Sequence, residues 1–326
     1  MAPDGGSDLE SLRGSSGAVI AEGPGAGKCG VFAADNPTLT ASGAQSIMRK
    51  RSMAVVSLLA VFVLSSLLVS VAGGLPFHLT QVRRSVIEQR LENPPAANGG
   101  REIALRRMFQ VSGCRGAELS EQIVRRNDPP NLVCKMPGAS PELIVVGGHL
   151  DHVHKGKGVV DDWSGASLLP SLYQSLRAAP RKHTFLFIGF TDEEKGLVGS
   201  NYYVRQLSYD NRRRIRAMVN LECLGMNPPE VWEDHADAQL LKDFTLVSRL
   251  LDIPLRGVDV ENIGSDDAQS FRNRKVPTIT IHSLTQGTVH VLHSPADNFS
   301  AIHMPYYYET YRLLARYLAY VDCQLP

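Results

Sequence analysis

The sequence predicts an α/β protein with a mixed, largely parallel central sheet and helices on both faces. Three observations lead there. From about residue 77 onward, short apolar runs alternate with longer helix-like segments. Most of the short runs are continuously apolar, as strands covered on both faces read. Ionisable residues also cluster just after the apolar runs, at the carboxyl edge where open α/β sheets gather ligands.

The elements follow in chain order. Residues 1–47 are rich in Gly, Ala, Ser and Pro without sustained apolar periodicity, and read as a disordered or mispredicted extension. The stretch Gly23-Pro24-Gly25-Ala26-Gly27-Lys28 hints at a phosphate loop. Glu22 and Cys29 occupy the positions that would need Gly and Ser or Thr, and no apolar strand precedes it. Residues 48–75 begin with Met48-Arg49-Lys50-Arg51 and continue in an uncharged run from Met53 to Ala72. Cations, an apolar run and then small residues are the layout of a secretory signal; the run is also long enough for a membrane anchor.

Residues 77–326 form the folded domain. Its strand candidates are Leu132–Lys135, Leu143–Gly147, Thr184–Phe190, Ala217–Leu221 and Val276–His282. Its helix candidates are Ala166–Arg177, Leu197–Leu207, Ala238–Leu251 and Tyr306–Tyr320. Export makes disulfides possible. Cys114 and Cys134 bracket a segment short enough to close, Cys223 sits inside an apolar run, and Cys323 lies near the C-terminus. None has the spacing of a structural zinc knuckle.

Composition narrows function mainly by exclusion. The formal net charge is +1 and the apolar fraction 43%, so no nucleic-acid partner is expected. Arg212-Arg213-Arg214 reads as a solvated helix face. A membrane partner follows only if residues 48–75 are retained as an anchor.

Five polar groups carry the chemistry. Leu143-Ile144-Val145-Val146-Gly147-Gly148 runs into His149-Leu150-Asp151. Residues two apart on a strand share a face, so Asp151 can support the His149 ring from behind, as carboxylates do for metal-bound histidines. Gly158-Val159-Val160-Asp161-Asp162-Trp163-Ser164-Gly165 is a glycine-bracketed loop leading into a helix. Thr191-Asp192-Glu193-Glu194 follows a strand with three consecutive acids, more than one helix start requires. A dication would offset their repulsion and leave one carboxylate to act as a base. Asn220-Leu221-Glu222 again ends a strand in an acid, and His293-Ser294-Pro295-Ala296-Asp297 follows the last strand. Each group alone also fits a structural role. The case rests on the conjunction of His149, Asp161, the Glu193-Glu194 pair, Glu222 and His293, since two imidazoles and three carboxylates suit two zinc ions sharing one carboxylate.

In this order and spacing the motifs resemble the co-catalytic zinc aminopeptidases, the family that also holds plasma glutamate carboxypeptidase and the glutaminyl cyclases. The resemblance covers roughly residues 100–322. It implies a zinc exopeptidase fold, two Zn2+ ions per chain and a peptide substrate. It further implies that Asp161 bridges the metals, that His149 and Glu222 complete one site, and that Glu194 and His293 complete the other. Glu193 would be the general base and Asp151 the residue that orients His149. Asp266 and Asp267 match a family loop near the substrate. Two positions depart from the family pattern: Glu222 stands where Asp is usual, one methylene longer, and Ala268 follows the acidic pair where many relatives carry His.

The expected activity is aminopeptidase, in an exported protein, periplasmic or secreted. A glutaminyl cyclase on the same scaffold would work with one zinc and usually carries Trp before the last histidine, where this chain has Leu292. Carboxypeptidase or aminoacylase specificity is a further alternative. An inactive receptor-like ectodomain would have lost metal ligands, and every ligand position here is filled.

Overall fold

The computed structural model describes residues 79–258 and 264–326. The N-terminal extension 1–47, with its phosphate-loop-like stretch, and the leader 48–75 lie outside the described residues. Among the described residues, no helix is long and apolar enough to cross a membrane.

Eight strands build one sheet: β1 (Leu119–Gln122), β2 (Asn131–Met136), β3 (Leu143–His149), β4 (Thr184–Phe190), β5 (Ile215–Leu221), β6 (Glu230–Val231), β7 (Arg256–Gly257) and β8 (Thr278–His282). Their spatial order is β1-β2-β4-β3-β5-β8-β6-β7. The central β4-β3-β5-β8 block is parallel. Antiparallel pairs flank it, β1 with β2, β2 with β4, and β6 with β8. The chain passes from β3 out to β4 and then back across to β5 and β8. That reversal makes the carboxyl ends of these strands the natural crevice.

The continuous apolar runs are resolved by the pleat, which sends successive side chains to opposite faces. On one face, Ile144, Val146, Phe185, Phe187, Val219 and Ile279 join the main core. This core includes residues of α1 (Arg84–Leu91), α2 (Asn98–Ser112), α3 (Ser164–Leu176), α6 (Ala238–Leu250) and α8 (Met304–Gln324). On the other face, Val145, Ile188, Phe190 and Met218 pack with Tyr203 of α4 (Val198–Gln206) and Phe271 of α7 (Asp267–Arg272). Strand β4 is buried along its whole length. Each of its phenylalanines contributes roughly 1.5–3 kcal/mol relative to an exposed side chain.

Helix ends follow local chemistry. Asp237 caps α6 by accepting from the N–H groups of Gln239 and Leu240. Ser208 caps α5 (Tyr209–Arg213), whose Arg212 and Arg213 fall in the last turn, where the helix dipole favours cations. Helix α2 stops at Gly113, φ 106°, with the Cys114 N–H bonded to the Phe109 carbonyl. The next residue then bonds across to β2 through the Cys114–Cys134 disulfide, Cα–Cα 6.2 Å. Cys223 is buried and Cys323 half-buried, and neither is in a disulfide.

The five expected strands and four expected helices all form, with ends moved by a few residues. The helix face expected at Arg212-Arg213-Arg214 falls at the end of α5, while helices α1, α2 and α7 and the short strands β1, β6 and β7 were not expected from the sequence.

Candidate metal centre

Strand β3 remains extended through His149, which ends the strand fully buried. Its Nδ1 lies 3.0 Å from the Asp151 carbonyl oxygen. A carbonyl only accepts, so Nδ1 carries the proton and Nε2 faces the site. The Asp151 carboxylate stands 3.6 Å from the ring and is used elsewhere. It accepts the N–H groups of Glu193 and Glu194, at 3.0 and 3.2 Å. Asp151 thus meets the His149 ring with its carbonyl, its carboxylate stands beside the same nitrogen as an ion-pair partner, and that carboxylate also fixes the loop that carries the two glutamates.

Asp161 and Asp162 diverge. Asp162 turns inward and ties three elements together, accepting from the N–H groups of His149, Gly165 and Cys223 at 3.1, 3.0 and 3.0 Å. Glycine is required at 165. A Cβ there would sit 2.5 Å from Asp162 Oδ2 and 2.6 Å from the Leu221 carbonyl, so only glycine lets α3 start against the end of β5.

Asp161 turns into the crevice. Its Oδ1 lies 3.2 Å from His149 Nε2 and its Oδ2 3.2 Å from His293 Nε2. Glu222, directly after β5, brings Oε1 to 3.3 Å from His149 Nε2, and Asn220 donates to its other oxygen at 3.1 Å. Glu194 brings Oε2 to 3.0 Å from His293 Nε2. The result is two groups, His149–Asp161–Glu222 and Asp161–Glu194–His293, each with ligand atoms within 4.8 Å of one another. Asp161 belongs to both.

Glu193 lies outside both groups, with Oε2 3.9 Å from His149 Nε2. Asp192, first of the three acids, faces away and pairs with Lys195 at 2.8 Å and Arg125 at 3.5 Å.

The electrostatics reflect carboxylates crowded out of water. Burial pushes Glu193 up to about 10, helped by Glu222, Asp267 and Asp161 and opposed by His149. Burial lifts Glu194 to about 7, with Asp161 adding to the rise. Glu222 rises for the same reason. Hydrogen bonding to Asp161 and the charge of Glu194 raise His293 to about 9 against burial. Among the described residues, the ion-pair partners of Asp161, Glu194 and Glu222 are the two histidines; no Lys or Arg is paired with them. Glu194 Oε1 is buried without a hydrogen-bond partner among the described residues. Two imidazoles, three carboxylates and an orphaned carboxylate oxygen fit zinc, and dications among them would hold the carboxylates ionised.

A cavity of about 260 Å³ opens beside the two groups. Asp161, Glu193, Glu194 and Glu222 form its acidic side, and Cys223, Trp232, Leu284 and Leu292 its apolar side. Asp266 also lines the cavity and caps α7 by accepting from the Gln269 N–H. Asp267 is buried at the helix start and does not line the cavity. Adjacent residues at a helix start point in different directions, so the expected pair contributes one cavity residue. Sequence reasoning gave no role to Asp297, which accepts from the N–H groups of Val160 at 2.7 Å and Asp161 at 3.4 Å. Its place four residues after His293 was the available signal.

The profile of "Peptidase family M28" matches residues 131–318. "Leupeptin-inactivating enzyme 1" of Streptomyces exfoliatus is 31% identical over 151 residues, 45% of this chain and 34% of that protein. A Trichophyton verrucosum protein named "Probable leucine aminopeptidase" is 26% identical over 214 residues, 59% of this chain and 56% of its own length. The chain thus spans between a third and about half of these curated relatives. The LapA aminopeptidase of Legionella pneumophila shares the fold, with a TM-score of 0.64 and 20% identity over 75% of this chain and 73% of that one.

Proposed function

The chain belongs to peptidase family M28, and from that premise we propose that it is an exported zinc aminopeptidase, removing N-terminal residues from peptides with two zinc ions held by His149, Asp161, Glu194, Glu222 and His293. The observation that carries the reading is the shared carboxylate. Asp161 offers one oxygen to each ligand group. When bound, zinc ions in such a pair lower the pKa of water and polarise the scissile carbonyl.

This chain's own residues do the rest. Glu193 belongs to neither ligand group and stands beside them in the cavity wall. It is the carboxylate left to accept a proton from the attacking water and return it to the leaving amine. Asp151 keeps that role in place by holding the Glu193 and Glu194 N–H groups. The acidic lining favours an amino over a carboxyl terminus. Among the described residues, no Lys or Arg lines the cavity to receive a substrate carboxylate, whereas Glu194 and Asp266 suit an ammonium group. The apolar walls exclude water and suit an apolar side chain.

The disulfide between Cys114 and Cys134 supports export, since such bonds persist in oxidising compartments. One experiment tests the whole reading. The chain expressed from Met48 is recovered from the medium, sequenced from its N-terminus and assayed on a leucyl anilide and its N-acetylated analogue. A start after about residue 72 is expected. Turnover should need the free amine, stop with a chelator and return with zinc. Hydrolysis of the acetylated analogue at a similar rate, or activity indifferent to chelation, contradicts the proposal.

A further inference from the structure

We propose that Arg101 is a positioning residue for Asp161, holding the short segment that carries it by the backbone carbonyls just before it and by the Trp163 ring at its end. The inference rests on the reading of Asp161 as the shared zinc ligand. Arg101 lies in α2, outside the residues matched by the family profile.

Its side chain is fully buried. Nε donates to the Pro95 carbonyl at 3.0 Å, Nη1 to the Gly158 carbonyl at 3.1 Å and Nη2 to the Lys157 carbonyl. The guanidinium also lies over the Trp163 indole, 5.5 Å from the ring centre. These contacts bracket Val159–Trp163, with the carbonyls just before it and the ring at its end. From the other side, the Asp297 carboxylate takes the Val160 and Asp161 N–H groups, and its carbonyl takes the Lys157 N–H at 2.7 Å. The segment is therefore clamped on its carbonyl side by a cation and on its N–H side by an anion. Gly158, at φ 52°, has no slack, because a Cβ would sit 2.5 Å from His152 Cβ and 3.0 Å from Arg101 Nη2.

The chemistry requires arginine. One planar fork serves three carbonyls in fixed directions, which the single ammonium of lysine cannot do. None of those bonds goes to a carboxylate, so the full charge remains directed at the site. Burial lowers Arg101 to about 10, while Asp297, Asp151, Asp161 and Asp162 hold it up, and it stays a cation at neutral pH. That charge offsets part of the acid excess around Asp161 before any metal arrives.

Residues behind metal ligands typically set about 10–100-fold of affinity. Zinc affinity is measured by competition with a chromophoric chelator on the full chain, alongside melting temperature, for Arg101→Met, Arg101→Lys and Arg90→Met. Arg90 is a matched control, a buried arginine bonded to the side chains of Ser171, Ser112 and Gln174. Arg101→Met should weaken zinc at least about tenfold and Arg101→Lys by less, while Arg90→Met lowers the melting temperature alone. Wild-type affinity in Arg101→Met, or an equal loss in Arg90→Met, overturns the proposal. If Arg101→Met does not fold, Arg101→Lys decides: a loss of roughly threefold or more supports the clamp, and unchanged affinity overturns it. A wild-type chain that takes up no zinc brings down the metal-centre reading, and this inference with it.

Discussion

Glu193 and Glu194 are neighbours in sequence, and the different tasks proposed for them rest on what stands within reach of each. Glu194 meets His293 at 3.0 Å, inside a ligand group, while Glu193 stands 3.9 Å from His149 and in neither group. Glu193→Gln keeps shape and hydrogen bonding but cannot take a proton. Its turnover should fall at least about a hundredfold, with zinc content and melting temperature unchanged. Glu194→Gln should lose zinc first. Metal analysis beside steady-state kinetics separates the two, and the assignment fails if it is Glu193→Gln that loses zinc. At this scale the sequence was highly legible, since all five expected ligands converge. Strand-end positions leave little freedom once a parallel sheet is assumed. What stayed hidden depends on main-chain geometry. Nothing in the letters says that the Asp151 carbonyl would meet the His149 ring as well as its carboxylate. Nor do they show that Asp162 would tie β3, α3 and β5 together.

Among the elements, the periodic ones were readable. Strand β4 matches its expected bounds, because seven consecutive buried positions leave a long apolar signal. Helices α1 and α2 were not readable. Their buried faces include Arg90, Arg101, Glu102 and Ser112, which break the apolar stripe, and Gly99-Gly100 reads as a turn. Strands β6 and β7 have two residues each, too short for any period. The long helix α8 is tied to the start of β4 by Asp322. Its carboxylate accepts the Lys182 and His183 N–H groups at 2.8 and 2.7 Å and lies 3.1 Å from His183 Nδ1. Burial alone would lower His183, but the Asp322 carboxylate and the Pro326 carbonyl raise it overall. A histidine raised in the folded state stabilises fully below its unfolded pKa of about 6.5, and that share is lost as pH rises through the folded value. Asp322→Asn, compared with wild type in chelator, should therefore show a larger deficit in melting temperature near about pH 5.5 than near about pH 9. A residual deficit should remain at high pH, because the backbone bonds are weakened at both. Equal deficits would remove His183 from the account.

For the whole molecule, the sheet order explains why distant motifs meet. The chain reverses at β3, so the ends of β4, β3 and β5 open onto one crevice, and the loop after β8 closes it with His293. Fold class was legible from alternation alone, and the antiparallel flanks were not, because pairing partners for short edge strands are set by tertiary context. The cavity wall was equally hidden. Trp232 follows β6 while Leu284 and Leu292 lie in the loop after β8, and no spacing rule connects them. The central claim is that one carboxylate serves two metal ions. Zinc titration of the metal-free chain, read by native mass spectrometry, tests it most directly. Two zinc ions per wild-type chain are predicted, one fewer in Glu194→Gln and in Glu222→Gln, and loss at both sites in Asp161→Asn. A single zinc in the wild type, or two retained in Asp161→Asn, would contradict the account.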